Sequence, residues 1–429
     1  MSTRDNLRRG IADSVLKIKR PNGVLYFIVY ILVYPLLKAL FLLKVDRGDY
    51  DPPKGPLIVV SNHSTMMDFV VVMLSMYPRK LNAVGATKFF LYRPLDKLLP
   101  LMGVIPKTQF DSDVRSVIGI MGVLKRGGSV LLYPEGRCST DGTYAGIHKT
   151  TGKLIKKLGV PVVSCHLEGA DICMPFWRKG VRFGRERITI AGLFSAEDTR
   201  ALSIDEINSA IDARLSGLDT PPPAKPLRTF SSRRLAEGLH NVLYWCPACG
   251  AEFTTVTERN TIRCTACGAG AVMDKYSRLI PEPGRVVPGS LHEWYREQAR
   301  HEMRVMSEDM APISESVTVR MPVAGPGGGV ELCGGGVLCL DPEGWRFEGE
   351  LSGDSVSLFF PIDTVPALPV DPNDNFQVFA HGNFYMFTPE DPRKSVKYSI
   401  LGECAYWRFA SQVQMTPGKD SGFYEEKGG

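Results

Sequence analysis

Short apolar segments of the strand type alternate with helical segments between residues 57 and 215, and only a few architectures accept that order. The candidate strands are 57–60, 81–86, 129–133, 160–166 and 187–191, and the candidate helices are 65–77, 114–125, 149–158 and 204–215. Strands that are apolar throughout are typical of parallel sheets, in which helices cover both faces. The order therefore predicts an α/β domain with a mainly parallel sheet flanked by helices.

Changes in composition divide the rest of the chain. The stretch TPPPAKP at 220–226 predicts a stiff linker, and β-like runs separated by Gly, Pro and Asp after residue 313 predict a small antiparallel β domain. The predicted division is 1–45 for a basic flank and membrane-anchoring helices, 46–219 for the α/β domain, 220–244 for a linker, 245–275 for a cysteine-containing module, 276–312 for a helical connector, 313–415 for the β-rich domain and 416–429 for a flexible tail.

The composition is that of a folded protein without a strong charge. Hydrophobic residues make up 44% of the 429 residues and charged residues 23%, which is usual for globular domains. The 51 basic and 46 acidic residues leave a net charge of +5, a mild excess that does not favour nucleic acid as a partner. The sequence therefore predicts no nucleic-acid partner.

An apolar run from Val24 to Leu43 follows a basic flank without a cleavage site of the signal-peptide type. The flank contains Arg4, Arg8, Arg9, Lys17, Lys19 and Arg20. The run is about long enough to cross a bilayer, yet Pro35 and Lys38 interrupt its second half. Basic residues on both sides favour a monotopic or re-entrant anchor on the cytoplasmic face over a single span. A buried core helix is the remaining alternative.

The segment Asn62-His63-Ser64-Thr65-Met66-Met67-Asp68 connects a predicted strand to a predicted helix. A histidine at such a junction faces a cleft, and the Asp68 carboxylate can fold back onto its ring, select its tautomer and stabilise the imidazolium. A histidine oriented in this way can remove a proton from an alcohol that attacks a carbonyl. His63 and Asp68 are therefore the candidate catalytic pair. A helix-capping histidine beside an unrelated aspartate is the alternative.

Three further blocks follow in order, and the set resembles the glycerolipid acyltransferase superfamily, in particular the 1-acyl-sn-glycerol-3-phosphate (lysophosphatidic acid) acyltransferases. The blocks are Gly103-Val104-Ile105-Pro106-Lys107, Pro134-Glu135-Gly136-Arg137-Cys138-Ser139 and Val160-Pro161-Val162. The resemblance covers about residues 25–215. It implies an enzyme that transfers a fatty acyl chain from acyl-CoA or acyl-carrier protein to the hydroxyl of a membrane lysophospholipid. The donor is a thioester, so the enzyme need not form a covalent intermediate, and no organic cofactor is expected.

The resemblance also assigns roles to residues and shows two departures. It implies His63 as general base and Asp68 as its orienting partner. It implies an acceptor site formed by Asn62, Gly103, Lys107, Glu135, Gly136, Arg137 and Ser139. The arginine stands one place early in the third block, and lysine replaces arginine in the second. A lysine is a point charge and not a planar fork. The acceptor headgroup is therefore less constrained than the reaction, and another lysolipid or glycerol 3-phosphate remains open.

Two C-x-x-C-G pairs place Cys246, Cys249, Cys264 and Cys267 around a short β-like spacer. This pattern resembles a zinc ribbon and predicts a closed, structural zinc site with four cysteine ligands. A rubredoxin-like iron site is the nearest competitor, and disulfides are not expected in a reducing compartment. Cys138 has no partner at such a spacing. It lies in the glutamate block, so a reactive thiol is the alternative, but we expect an inert thiol there.

The C-terminal pattern between Gly336 and Ile362 loosely resembles pleckstrin-homology or GRAM-like β domains, with a final helix at 399–409. A lipid-headgroup site and a scaffold that shields the enzyme are equally compatible with it. A membrane-bound adaptor that has the acyltransferase fold without catalysis is the rival functional class. The intact His63 and Asp68 argue against that rival.

Overall fold

A computed structural model describes residues 18–109, 114–148, 150–218, 225–230, 233–284, 286–308, 312–323, 328–380 and 382–412. The basic residues before position 18, most of the proline-rich linker and the predicted tail lie outside these residues.

The first half of the chain contains a seven-stranded sheet. Its strands are β1 (Lys44–Asp46), β2 (Ile58–Ser61), β3 (Leu81–Ala86), β4 (Ile105–Lys107), β5 (Ser129–Leu132), β6 (Val162–Glu168) and β7 (Arg187–Phe194). They lie in the order β1-β7-β6-β2-β5-β3-β4, and every neighbouring pair is parallel except β6 and β7. The predicted mainly parallel sheet is confirmed.

Helices cover both faces of this sheet. They are α1 (Gly23–Leu40), α2 (Asp68–Ser75), α3 (Leu95–Leu101), α4 (Val114–Lys125), α5 (Thr150–Leu158), α6 (Ala170–Cys173), α7 (Ala196–Ala201) and α8 (Ile204–Leu215). Successive side chains of a strand point to opposite faces. Accordingly Val59 packs in the core beneath α1 and α2, whereas Ile58 and Val60 pack in the core beneath α4, α5 and α8.

Helix α2 is shorter than the predicted helix 65–77. The amides of Ser64 and Thr65 donate to the carboxylate of Asp68 and not to a helical turn, so the helix begins only at Asp68. Helix α8 has the predicted bounds, because Ser203 and Glu206 form a capping box at its start.

Helix α1 is continuous through Pro35, and Asn22 caps its first turn. It is long and apolar enough to cross a membrane, yet only 11% of its residues are buried in the protein. Tyr26 and Leu37 are its buried residues, and Tyr30 stacks on Tyr77 at a centroid distance of 4.1 Å. One side of α1 therefore packs on the α/β domain, and its other side is exposed and apolar.

The first cysteine pair precedes a four-stranded antiparallel sheet in the order β11-β10-β9-β8, and the second pair ends and follows β9 of this sheet. Its strands are β8 (Thr255–Glu258), β9 (Thr261–Cys264), β10 (Gly270–Met273) and β11 (Leu279–Pro281). Helix α9 (Leu291–Glu308) follows and packs on the next domain through Trp294 and Ala299, which are buried in a core shared with it.

The C-terminal part contains a seven-stranded antiparallel sheet in the order β15-β14-β13-β12-β18-β17-β16. Its strands are β12 (Ile313–Pro322), β13 (Val330–Asp341), β14 (Gly344–Leu351), β15 (Asp354–Pro361), β16 (Val370–Asp371), β17 (Asn375–Ala380) and β18 (Asn383–Pro389). The helix α10 (Ser395–Gln412) closes this domain and packs against α9. The predicted antiparallel β domain with a final helix is present.

Candidate active site

The candidate catalytic pair lies just beyond the carboxyl end of β2. His63 Nδ1 is 3.1 Å from Asp68 Oδ2, and the Asp68 side chain is fully buried at the first residue of α2. The carboxyl ends of neighbouring parallel strands meet at one edge of a sheet, where ligands of α/β proteins bind. The structure therefore brings His63 and Asp68 together at the edge where a substrate cleft is expected.

The Asp68 carboxylate is fixed by more than the imidazole. Its Oδ2 accepts hydrogen bonds from the amides of Ser64 and Thr65 at 2.6 and 2.8 Å, and its Oδ1 accepts one from the Thr65 hydroxyl at 2.6 Å. These bonds fix the carboxylate against Nδ1, which leaves Nε2 as the nitrogen that faces the cleft.

The loop after β5 is bonded to the histidine loop. Glu135 Oε1 accepts from the His63 amide at 2.6 Å and its Oε2 accepts from the Ala145 amide at 2.9 Å. The Ser139 amide donates to the His63 carbonyl at 2.8 Å. Burial raises the pKa of Glu135 to about 8, although both amide bonds lower it. Glu135 thus positions the two loops.

The imidazole of His63 lies between two neighbours that the sequence did not reveal. The Tyr133 ring stacks on it at a centroid distance of 4.1 Å, and Cys138 Sγ lies 3.2 Å from Nε2. Burial lowers the pKa of His63, but the Cys138 thiol and the Asp68 carboxylate outweigh burial and hold that pKa well above its usual range. The strand before the glutamate block was the only sequence signal for Tyr133.

Arg137 and Ser139 face the C-terminal half of the chain. Both terminal nitrogens of Arg137 donate to the Glu403 carboxylate on α10, one of them at 3.0 Å. Ser139 Oγ donates to Asp141 Oδ1 at 2.9 Å, and Asp141 Oδ2 lies 2.7 Å from His292 Nδ1 on α9. The loop that carries the candidate acceptor residues is therefore bonded to both C-terminal helices.

The remaining predicted residues lie nearby with different surroundings. Asn62 is buried; its Nδ2 donates to the Leu167 carbonyl on β6 and its Oδ1 accepts from the Leu167 amide, each at 2.8 Å. Gly136 accepts from Gln109 Nε2 at 2.8 Å. Lys107 ends β4 at the same sheet edge, and Gly103 lies in the preceding turn at a positive φ of 71°. Asn62 and Gly103 thus stabilise the backbone around the cleft.

The four motif cysteines come together in one cluster. Their Sγ atoms all lie within 4.8 Å of one another, and both the Cys246–Cys267 and the Cys249–Cys264 pairs are 3.8 Å apart. A disulfide requires a sulfur–sulfur distance of about 2.05 Å. The cluster is therefore compact enough to bind a metal ion and is not a pair of disulfides.

Comparisons with known proteins agree with the geometry. Residues 43–168 match the family model described as Acyltransferase. The chain is 31% identical over 128 residues to a chloroplastic 1-acyl-sn-glycerol-3-phosphate acyltransferase of Brassica napus, covering 29% of this chain and 37% of that one. It is 31% identical over 138 residues to the chloroplastic enzyme of the same name from Arabidopsis thaliana, covering 32% and 38%.

A solved structure also resembles the chain. It is the 1-acyl-sn-glycerophosphate acyltransferase from Thermotoga maritima, with 17% identity, a TM-score of 0.39, and coverage of 46% of this chain and 81% of that one. The chain spans less than two fifths of the length of the two plant relatives. The segment 43–168 matches the Acyltransferase family model, and it resembles the 1-acyl-sn-glycerol-3-phosphate acyltransferases.

Proposed function

We propose that the protein transfers a fatty acyl chain from acyl-CoA or acyl-carrier protein to the free hydroxyl of lysophosphatidic acid, which forms phosphatidic acid in phospholipid biosynthesis. The observation that carries the proposal is the His63–Asp68 pair of 3.1 Å at the carboxyl edge of a parallel sheet, inside the segment that matches the acyltransferase family. Asp68 orients the imidazole and stabilises its protonated form. His63 accepts the proton of the group that attacks the acyl carbonyl.

The charge of the acceptor phosphate requires cations at the same edge. Lys107 ends β4 there, and Arg137 follows β5. Because Arg137 is bonded to Glu403, we propose that Lys107 contributes the main attraction to the phosphate and that Arg137 orders the loop. In this arrangement Gly136 supports close backbone approach, whereas Glu135, Asn62, Gly103 and Ser139 shape the cleft through the backbone. An acceptor other than lysophosphatidic acid, including another lysolipid or glycerol 3-phosphate, is the closest alternative.

The exposed side of α1 supports association with a membrane, and we propose monotopic docking on its cytoplasmic face. Its exposed apolar residues are Val24, Phe27, Ile28, Ile31, Leu32 and Leu36. Leu42, Phe183 and Phe230 line an adjacent apolar groove, and the Arg228 guanidinium lies 5.1 Å from the Phe230 ring centre. An apolar surface edged by cations is typical of proteins that lie in the interface of an anionic membrane.

The cysteine cluster fits a structural zinc ion. A tetrahedral site with zinc–sulfur bonds of about 2.3 Å has sulfur–sulfur edges of about 3.8 Å, the distance found for both measured pairs. Cys246, Cys249, Cys264 and Cys267 would provide all four bonds, and zinc would stabilise the small sheet β8–β11. We propose a zinc ribbon at 245–275, and a pleckstrin-homology or GRAM-like domain at 313–415 that supports the active-site loop.

The decisive experiment is acyl transfer by the purified full chain in mixed micelles. Labelled acyl-CoA and acyl-carrier protein are each offered with lysophosphatidic acid, lysophosphatidylcholine or glycerol 3-phosphate. We expect transfer to lysophosphatidic acid that is lost in His63→Ala and retained in His148→Ala, an exposed histidine of the same domain. Transfer to another acceptor would mean that the protein is an acyltransferase but that lysophosphatidic acid is not its substrate. No transfer with any pair would favour a non-catalytic adaptor.

A further inference from the structure

The cleft-facing nitrogen of His63 is already occupied by a side chain of the protein. In a direct transfer the acceptor hydroxyl must lie within about 2.6–3.2 Å of the base. Cys138 Sγ lies 3.2 Å from His63 Nε2, where that hydroxyl would have to bind. Asp68 lies against the opposite nitrogen at 3.1 Å. Carboxylate, imidazole and thiol thus stand in series, which is the arrangement of orienting acid, base and nucleophile.

Hydrogen bonds on both sides of Cys138 in the sequence hold its loop against His63. The amide of the next residue, Ser139, donates to the His63 carbonyl, and Glu135, three residues before, accepts from the His63 amide. The thiol is half-buried and borders the cleft, whereas Cys165 and Cys173 of the same domain are fully buried. Cys138 is therefore the cysteine of this domain that is both held against His63 and accessible to a substrate.

The contact between Cys138 and His63 suits a nucleophilic thiol. An imidazole 3.2 Å from the sulfur can take up the thiol proton as the sulfur attacks a carbonyl. The same proton is then available to the thiolate that leaves the donor.

We propose that Cys138 is a catalytic nucleophile and carries the acyl chain as a thioester between donor and acceptor. The inference rests on the proposed acyltransferase function and deepens it. The Cys138 sulfur attacks the carbonyl of the acyl thioester, and the bond from that carbonyl to the donor sulfur breaks. The Cys138 proton, taken up by His63, passes to the departing donor thiol.

The second half of the cycle uses the same groups in reverse. His63 has passed its proton to the departing donor, so once Cys138 is acylated the neutral imidazole accepts the proton of the lysolipid hydroxyl. The hydroxyl oxygen attacks the Cys138 thioester, the carbon–sulfur bond breaks, and the proton returns from His63 to Cys138. The products are an oxygen ester and the free thiol, with no oxidant or further reactant consumed.

The test begins without an acceptor. Wild-type protein is mixed with acyl-CoA or acyl-carrier protein alone and its intact mass is measured. We expect one added acyl chain per protein, released by neutral hydroxylamine and transferred when lysophosphatidic acid is added. Cys138→Ala and His63→Ala are expected to lack the adduct. Cys333→Ser, which removes a half-exposed thiol of β13, is expected to retain it and controls for non-enzymatic acylation.

A serine variant separates a chemical role from a structural one. Cys138→Ser is expected to take up the chain as an oxygen ester that resists neutral hydroxylamine and is passed on slowly. Cys138→Ala is expected to lose about 10³-fold in kcat, as removal of a nucleophile does, with an unchanged melting temperature. Wild-type kinetics are expected to give parallel double-reciprocal lines, the pattern of a ping-pong mechanism.

Each contrary result has a separate meaning. If wild type turns over while Cys138→Ala keeps half or more of its rate, transfer is direct and the inference is wrong, although the proposed function stands. An adduct on Cys138 with no transfer to any lysolipid would support the nucleophile and overturn the acceptor. Absence of both adduct and transfer in wild type would overturn both.

Discussion

Arg137 and Glu403 form an ion pair between the active-site loop and the C-terminal helix, with both terminal nitrogens of the guanidinium bonded to the carboxylate. The resemblance to the acyltransferase family assigns an arginine of this block to the acceptor. In this chain the arginine stands one place early and is engaged by a residue of a different domain. The β domain is therefore part of the support of the active-site loop and not a separate appendage.

The Arg137–Glu403 pair should be energetically coupled. Both side chains are largely buried, so removal of either partner deprives the other charge of this ion pair in a partly desolvated place. We expect a coupling of about 1–2 kcal/mol in a double-mutant cycle with Arg137→Ala and Glu403→Ala, measured by urea unfolding. The exposed pair Arg320–Asp374 is the matched control and should give less than about 0.5 kcal/mol. Equal coupling in both cycles would contradict support of the loop by the C-terminal helix.

Asp68→Asn should abolish most activity without unfolding the domain. Asparagine can accept from the Ser64 and Thr65 amides, but it does not hold a negative charge against the imidazole. We expect a loss of about 10²–10⁴-fold in kcat, as for the equivalent change in other orienting aspartates. Thr65→Val is the comparison, because it removes the bond to Oδ1 and the bond from the Met67 amide to the Thr65 hydroxyl but leaves the Asp68 carboxylate in place. A loss in Thr65→Val as large as in Asp68→Asn would indicate that packing, and not charge, governs the site.

Glu135 should make stability fall with rising pH. Its pKa is raised by burial to about 8 in the folded protein, whereas an unfolded glutamate has a pKa of about 4.3. Between these values the folded state binds a proton that the unfolded state has released, so the free energy of unfolding decreases as pH rises. Glu135→Gln should flatten this dependence between about pH 5 and pH 8 in urea titrations. The exposed Glu258→Gln should leave the slope unchanged, and an unchanged slope in Glu135→Gln would refute the assignment.

The cysteine cluster should contain one zinc ion per chain. Cys249→Ser or Cys264→Ser should abolish metal binding. The metal content of the purified protein is measured by elemental mass spectrometry. Because Cys264 and Ile262 lie in the same core as Trp294 and Trp345, loss of the metal should lower the melting temperature of the C-terminal half as well. Cys333→Ser is the control and should keep the metal. Iron in place of zinc would favour the rubredoxin-like alternative.

The outer side of α1 should determine membrane binding. Replacing Ile31 and Leu32 by glutamate places two charges on the apolar face and should weaken binding to anionic vesicles by tenfold or more in sedimentation assays. Val256→Glu, which changes an exposed apolar residue of β8, should bind as wild type does. Unchanged binding of the α1 variant would mean that another surface docks.

The sequence predicted what depends on local pattern. Helix α8 was predicted at its observed bounds, because the capping box and the apolar spacing lie in one short segment. His63 and Asp68 were paired in advance for the same reason. Strands β1 and β4 were not predicted, since three residues carry too little pattern and both are stabilised by pairing with a neighbour. The antiparallel direction of β7 likewise depends on its connection and not on its composition.

Contacts between residues that are far apart in the sequence could not be predicted from local pattern. Nothing near Glu403 indicates that it binds Arg137, and nothing near His292 indicates that it binds Asp141. Cys138 was expected to be inert because it lacks a partner at short spacing. Its relation to His63 arises only when the loops after β2 and β5 meet at one sheet edge.

The ion pair between Arg137 and Glu403 also has a consequence for folding during synthesis. Ribosomes make the chain from its amino end, so the histidine loop and the glutamate block emerge long before the helix that contains Glu403. The active-site loop therefore acquires its final contacts only after nearly all of the described chain has been translated. A nascent chain lacks that support until synthesis has passed α10, so the candidate site is completed only after the β domain has been made.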